Sequence, residues 1–197
     1  MSNQFDYLLK YIIIGDEEVG KSNLLSHYID ERFTPEHQST IVVEFKDKNV
    51  EIRNKTYRIK MFDTSGKENS RSVIRTFYKN STFAFFVYDI SNRNSFNNVS
   101  TWIEEFRKDS PKTIFMVLIG NKSDLADKRQ VSTEEGRELA EKYEMKFYET
   151  SAKTGENVND IFNDSVEEIA KKIDQNYYDL ENDTCGIKQG NKVILYF

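Results

Sequence analysis

An α/β sandwich, with a mostly parallel sheet and helices on both faces, is the fold class this sequence predicts, and three observations predict it. Tyr7–Ile14, Phe83–Ile90 and Ile114–Ile119 are near-continuous apolar runs, the pattern of central parallel strands buried on both faces. Stretches with apolar residues at helical spacing alternate with them. Pro occurs twice and Gly eight times, so flexible linkers are scarce. Strands alternating with helices argue for right-handed crossovers within one sheet.

In chain order, Tyr7–Ile14 reads as the first central strand, followed by a helix opening near Lys21. Val42–Ile52 and Thr56–Phe62 alternate apolar with charged residues around Arg53–Lys55, which predicts a β-hairpin at a sheet edge. After the strand Phe83–Ile90, Phe96, Val99, Trp102, Ile103 and Phe106 mark one face of a helix, with Trp102 expected in the core. Ile114–Ile119 is the next strand. Ser132 and Glu135 have capping-box spacing ahead of a helix over Glu134–Tyr143. A short strand follows around Lys146–Glu149. Val158, Ile161, Phe162, Val166, Ile169 and Ile173 form the apolar stripe of the last helix. Beyond Asp174 the periodicity fails, and Asp174, Asp179, Glu181 and Asp183 outnumber Lys188 and Lys192. Residues 1–174 are therefore expected to be the folded domain, and 175–197 a flexible tail with an apolar end at Val193–Phe197.

Composition narrows the class. The chain has 197 residues, 31% charged and 38% hydrophobic, with 14 Phe and 11 Tyr to fill a core. A net charge of -5 argues against a broad nucleic-acid footprint. The apolar runs are too short to span a bilayer. Asp6 and Lys10 interrupt any secretory signal, and Ser2 stands where N-myristoylation needs glycine. The single cysteine, Cys185, excludes a disulfide framework within the chain. His27 and His37 lack metal-ligand spacing. A cytoplasmic globular protein is the expectation.

Three motifs carry chemistry. Gly15-Asp16-Glu17-Glu18-Val19-Gly20-Lys21-Ser22 is a full G-x-x-x-x-G-K-[ST] match, placed after a strand and ahead of a helix containing Asn23. Gly15 and Gly20 let the loop curl so that backbone N–H groups face phosphates, aided by the helix N-terminus. Lys21 reaches the β- and γ-phosphates, and the Ser22 hydroxyl is a hard ligand for Mg²⁺. Asp63-Thr64-Ser65-Gly66 follows the strand ending at Phe62; Asp63 can hold Mg²⁺ through water, and the Gly66 N–H can meet a γ-phosphate. Asn121-Lys122-Ser123-Asp124 also follows an apolar strand. The Asp124 carboxylate can accept from both N1–H and the exocyclic amine of guanine, which adenine cannot match. Ser151-Ala152-Lys153 would supply backbone N–H to the guanine O6. In this order the motifs select GTP over ATP and disfavour an ATP-using kinase.

Over roughly residues 6–174 the chain resembles the Ras superfamily of small GTPases, and within it the Rab family. Ser39-Thr40-Ile41-Val42-Val43-Glu44-Phe45 matches the S-T-I-G-V-E-F segment, and Val87-Tyr88-Asp89-Ile90 precedes Ser95-Phe96-Asn97-Asn98-Val99. The resemblance implies a G-domain with a six-stranded, mostly parallel sheet and one antiparallel edge strand. It implies a GDP/GTP switch in vesicle traffic at endomembranes, served by an exchange factor, effectors and a GTPase-activating protein. Thr40 would ligate Mg²⁺ and order switch I. Phe33 would pack against the guanine, and His37, Gln38 and Ser39 through Phe45 would face effectors. Phe45, Phe62 and Phe77 match the interswitch aromatic triad, with Phe62 in place of Trp.

The departures from that family sit around the γ-phosphate and at the end of the chain. Lys67 stands where the family has the Gln that orients the attacking water, and an ammonium donates but does not accept. Glu17 stands where the family has a small residue, and the resemblance implies that the two positions face each other over the γ-phosphate, so an ion pair is expected when switch II closes. Switch II has Asn69-Ser70 after Glu68 in place of Arg-Tyr. No prenylation box is present, so a lipid anchor is not supported. Two readings share the fold and ligand: a slow GTPase switch, and a GTP-binding interaction module that barely hydrolyses.

Overall fold

The apolar run Tyr7–Ile14 is β1, the centre of the sheet in the computed structural model, which describes residues 5–34, 40–111, 114–181 and 185–190. Parallel partners β3 (Lys55–Thr64) and β4 (Phe83–Asp89) flank it, and β5 (Phe115–Asn121) and β6 (Lys146–Thr150) extend the sheet in parallel. At the other edge β2 (Val43–Ile52) runs antiparallel to β3, giving the order β2-β3-β1-β4-β5-β6. The expected six strands and their antiparallel edge are present. The hairpin turns at Arg53 and Asn54, whose φ values of 52° and 59° are the left-handed pair of a type I′ turn.

Alternation along each strand builds two cores. Leu9, Tyr11 and Ile13 of β1 pack with Phe85 and Val87 under α1 (Lys21–Asp30) and α5 (Val158–Asp174). Ile12 and Ile14 pack with Phe86 and Tyr88 under α3 (Arg93–Asp109), joined by Ile74 of α2 (Arg71–Arg75) and Ala140 of α4 (Thr133–Lys142). Each large apolar side chain so buried is worth about 1.5–3 kcal/mol. The predicted stripe of the last helix is buried in full. The Ser132–Glu135 capping box forms in both directions. No helix among the described residues is long and apolar enough to cross a membrane.

One expectation is corrected beyond Asp174. Ile187–Gln189 forms a seventh strand, β7, antiparallel to Tyr7–Leu9 of β1. The cause lies in register: β4 begins opposite Tyr11, so Tyr7–Leu9 of β1 has no β4 partner on that side. Backbone groups there need pairing, and β7 supplies it. Thr82 Oγ1 donates to the Gly186 carbonyl at 2.8 Å, and the Gly190 N–H donates to the Asp6 carbonyl at 2.8 Å. Gly186 has φ 75°, and a Cβ there would lie 2.3 Å from the Asn80 carbonyl oxygen. Tyr178 and Ile187 are buried, so the packed fold extends past the expected boundary at 174. Val193–Phe197 lies outside the described residues.

Because β1, β4, β5 and β6 are parallel, their carboxyl ends share one edge of the sheet. Open α/β sheets bind ligands at that edge. All three motifs lie on it.

Candidate functional site

The loop after β1 is shaped by two glycines whose positive φ and close neighbours would strain any side chain placed there. Gly15 has φ 147° and a Cβ would meet the Val87 carbonyl oxygen at 2.2 Å; Gly20 has φ 95° and a Cβ would meet Asn121 Nδ2 at 2.4 Å. Between them the loop arches toward α1, whose first N–H groups lack a side-chain cap and so remain available to an anion. Lys21 folds back, its ammonium donating to the carbonyls of Gly15 at 3.0 Å and Asp16 at 2.6 Å. Burial pushes the Lys21 amine down to about 8, against the opposing pull of Asp63, Asp16 and Glu17.

Three oxygens converge beside Lys21. Ser22 Oγ lies 3.1 Å from Thr40 Oγ1, which donates to Asp63 Oδ2 at 3.4 Å. Two hydroxyls and a carboxylate are the hard donor set that Mg²⁺ takes, with water completing its octahedron. The residues present therefore fit that ion. Asp63 and Thr64 are buried at the end of β3, where Thr64 Oγ1 donates to the Ile13 carbonyl at 2.8 Å. Gly66, at φ 75°, presses on the phosphate loop: a Cβ would lie 2.4 Å from the Asp16 carbonyl carbon.

Asn121 ties the two halves of the site together. Its Nδ2 donates to the Val19 carbonyl at 2.8 Å, and its Oδ1 accepts from Thr150 Oγ1 at 3.1 Å and Ala152 N–H at 3.2 Å. It is fully buried, so each of these bonds would be expensive to leave unmade. Lys122, at φ 66°, pairs with Asp89 Oδ2 at 2.7 Å. Asp124 Oδ1 accepts from Ser151 Oγ at 2.6 Å, and Lys153 Nζ lies 3.9 Å from Asp124 Oδ2. The carboxylate is thus oriented while keeping lone pairs for a further donor.

These parts enclose a cavity of about 640 Å³. Glu17, Glu18, Gly20, Lys21, Ser22 and Asn23 line one end, with Thr40, Thr64 and Ser65; Phe33, Asn121, Lys122, Asp124, Ala152 and Lys153 line the rest. Gly15, Asp16, Val19, Asp63, Gly66, Lys67 and Ser151 are not on its wall. The volume suits a small polar ligand with an aromatic end, within the usual range of ligand pockets. Leu125 also lines it, unpredicted from the motifs although it directly follows Asp124. Asp89, which holds Lys122, was not foreseen as part of the site, and strand register, which the sequence does not display, is what brings it opposite Asn121.

At the rim Lys67 Nζ lies 3.5 Å from Glu17 Oε1, so the expected ion pair forms. Both side chains are about two-fifths exposed or more, which limits the pair to roughly 0–1 kcal/mol. Ile41 and Phe45, at 83% and 62% exposure, stand out from a surface beside the cavity. Phe62 and Phe77 pack with ring centroids 5.4 Å apart, and Phe45 pairs with Phe62 across the hairpin. His37, Gln38 and Ser39 lie outside the described residues. One contact runs against expectation. Trp102 is buried as predicted, yet its indole Nε1 donates to Asp16 Oδ1 at 2.7 Å.

Comparison with known proteins agrees with this geometry. The sequence model of the Ras family matches residues 10–171. A Ras-related protein Rab-2B of Dictyostelium discoideum is 45% identical over 175 residues, covering 89% of this chain and 87% of that protein.

Proposed function

The chain belongs to the Ras family, and within it to the Rab small GTPases, and from that premise we propose that it is a GTP/GDP switch in membrane traffic whose hydrolytic step is slow. The observation that carries this reading is one cavity walled by both the phosphate loop and Asp124. Lys21 and the first N–H groups of α1 bind the phosphates. Asp124 receives the guanine N–H groups, and Ser151 holds its carboxylate in place. Phe33 covers the base. Ser22 and Thr40 directly, and Asp63 through water, would hold Mg²⁺, which supplies neutralisation of charge on the β- and γ-phosphates. Thr40 hydrogen-bonds within that set, so a bound γ-phosphate would fix the segment leading from it to the exposed Ile41 and Phe45. That is how nucleotide state would reach effectors. An exchange factor and a GTPase-activating protein would act on the same elements.

The slow step follows from Lys67 and Glu17. A water nucleophile needs a neighbour that accepts its proton-bearing side as well as donating to it, and an ammonium only donates. Glu17 puts a carboxylate near the phosphates; at ~5 Å and an effective dielectric of ~20 this repulsion is about 3 kcal/mol per pair of unit charges. The neighbouring Lys67 offsets part of it, so GTP binding survives. The pair also fills space that an inserted arginine would use, help that can reach roughly 10³–10⁵-fold. This same pair favours the second reading, a GTP-loaded interaction module with negligible turnover. Identifying the nucleotide released on denaturing the purified protein tests the base reading: guanine nucleotide supports it, and adenine nucleotide rejects it. The ratio of GTP to GDP separates a slow switch from a persistent GTP-bound module.

A further inference from the structure

The Asp16 side chain turns away from the cavity and into α3. Both of its oxygens are taken: Trp102 Nε1 donates to Oδ1 at 2.7 Å and Asn98 Nδ2 to Oδ2 at 2.7 Å. The Asp16 backbone meanwhile holds the Lys21 ammonium and abuts Gly66. On the face of the same indole lies Arg71, the first residue of α2, its guanidinium carbon 4.4 Å from the ring centroid. Arg71 also pairs with Glu105 at 3.1 Å, and Arg75 with Asp109 at 2.8 Å, so switch II is strapped along α3 by two ion pairs. One aromatic ring therefore touches the phosphate loop through its edge and switch II through its face.

We propose that Asp16, Trp102 and Arg71 form a positioning relay through which the docking of switch II on α3 sets how tightly the phosphate loop holds its nucleotide. The inference rests on the guanine-nucleotide reading and concerns regulation of that site. The Trp102–Asp16 bond is charge-assisted and half-buried, which makes it strong and directional, and the guanidinium over the ring face restrains the direction in which the indole N–H points. With the ring fixed, the loop is preorganised and binding pays less ordering entropy. With Arg71 withdrawn, the ring can tilt, the Asp16 grip loosens, and nucleotide leaves faster. None of these residues lines the cavity. They act through the loop backbone.

The test measures release of a fluorescent GDP analogue from the full-length protein. Trp102→Phe keeps the ring under Arg71 but removes the N–H; loss of that bond is expected to speed release about 10-fold. Arg71→Ala is expected to speed it several-fold, and the double variant to be no faster than Trp102→Phe alone. Unchanged release in Trp102→Phe, or multiplicative effects in the double variant, would overturn the relay. Should Trp102→Phe fail to fold, Arg71→Ala, which removes the guanidinium from the indole face, decides: faster release supports the relay and unchanged release rejects it. A second readout is the emission of the chain's single tryptophan. It should shift on replacing GDP by a non-hydrolysable GTP analogue in the wild type, and not in Arg71→Ala; equal shifts in both count against the relay. If the wild type retains no guanine nucleotide, the base reading itself fails, whereas retention with unaltered release in the variants removes only the relay.

Discussion

In the proposed function Asp124 and Lys21 divide the recognition of a nucleotide between a base end and a phosphate end, and each permits a sharp test. Asp124→Asn removes the acceptor for two guanine N–H groups, each charge-assisted bond being worth about 1.5–3 kcal/mol. GDP affinity should fall at least 10-fold while ATP stays excluded, as read by titration calorimetry; unaltered GDP affinity would refute the base site. Lys21 titrates at about 8 in the protein alone, because burial disfavours its charge. Phosphates favour the ammonium, so binding at pH 8 draws in a proton, and affinity falls as pH rises through that value. Calorimetry in two buffers of different ionisation enthalpy should show net proton uptake at pH 8, and none would contradict the buried amine. At this scale the motifs were legible because loop chemistry demands particular residues at particular spacing. Trp102 was read as core and is buried, but spacing along a helix says nothing about where an indole N–H points. Its bond to Asp16 joins residues 86 apart in sequence, which a helical pattern does not register.

Among the elements, β7 departs furthest from the sequence pattern. Three residues are too few to display a period, and its only buried side chain is Ile187. The need for it lies elsewhere, in the unpaired side of β1 below Tyr11, which depends on where β4 starts. The long strands and helices, by contrast, were readable because burial on one or two faces repeats along them. Ile187→Ala should cost about 2–4 kcal/mol, which lowers the melting temperature by roughly 5–15 °C for a chain of this size. Deleting residues 185–197 should do at least as much, and a melting temperature within 2 °C of the wild type would show that β7 contributes nothing to the fold. Neither change should alter guanine selectivity, because β7 meets the amino-terminal end of β1 and the phosphate loop follows its carboxyl end.

Across the whole molecule, the parallel sheet gathers motifs separated by more than a hundred residues onto one edge, and Asn121 bolts their loops together. In the proposed reading that architecture binds and discriminates, and turnover depends on Lys67 and Glu17, which pair at the rim. The departures were visible in the sequence because the resemblance to the family gives what those positions ordinarily hold and what they face. Their effect on rate is the central claim, and single-turnover GTP hydrolysis of the wild type beside Glu17→Gly/Lys67→Gln tests it most directly. The double variant should hydrolyse at least 10-fold faster, about 1.4 kcal/mol off the barrier, with each single variant intermediate and GTP still bound by all four proteins. A wild type that hydrolyses GTP as fast as the double variant would contradict it.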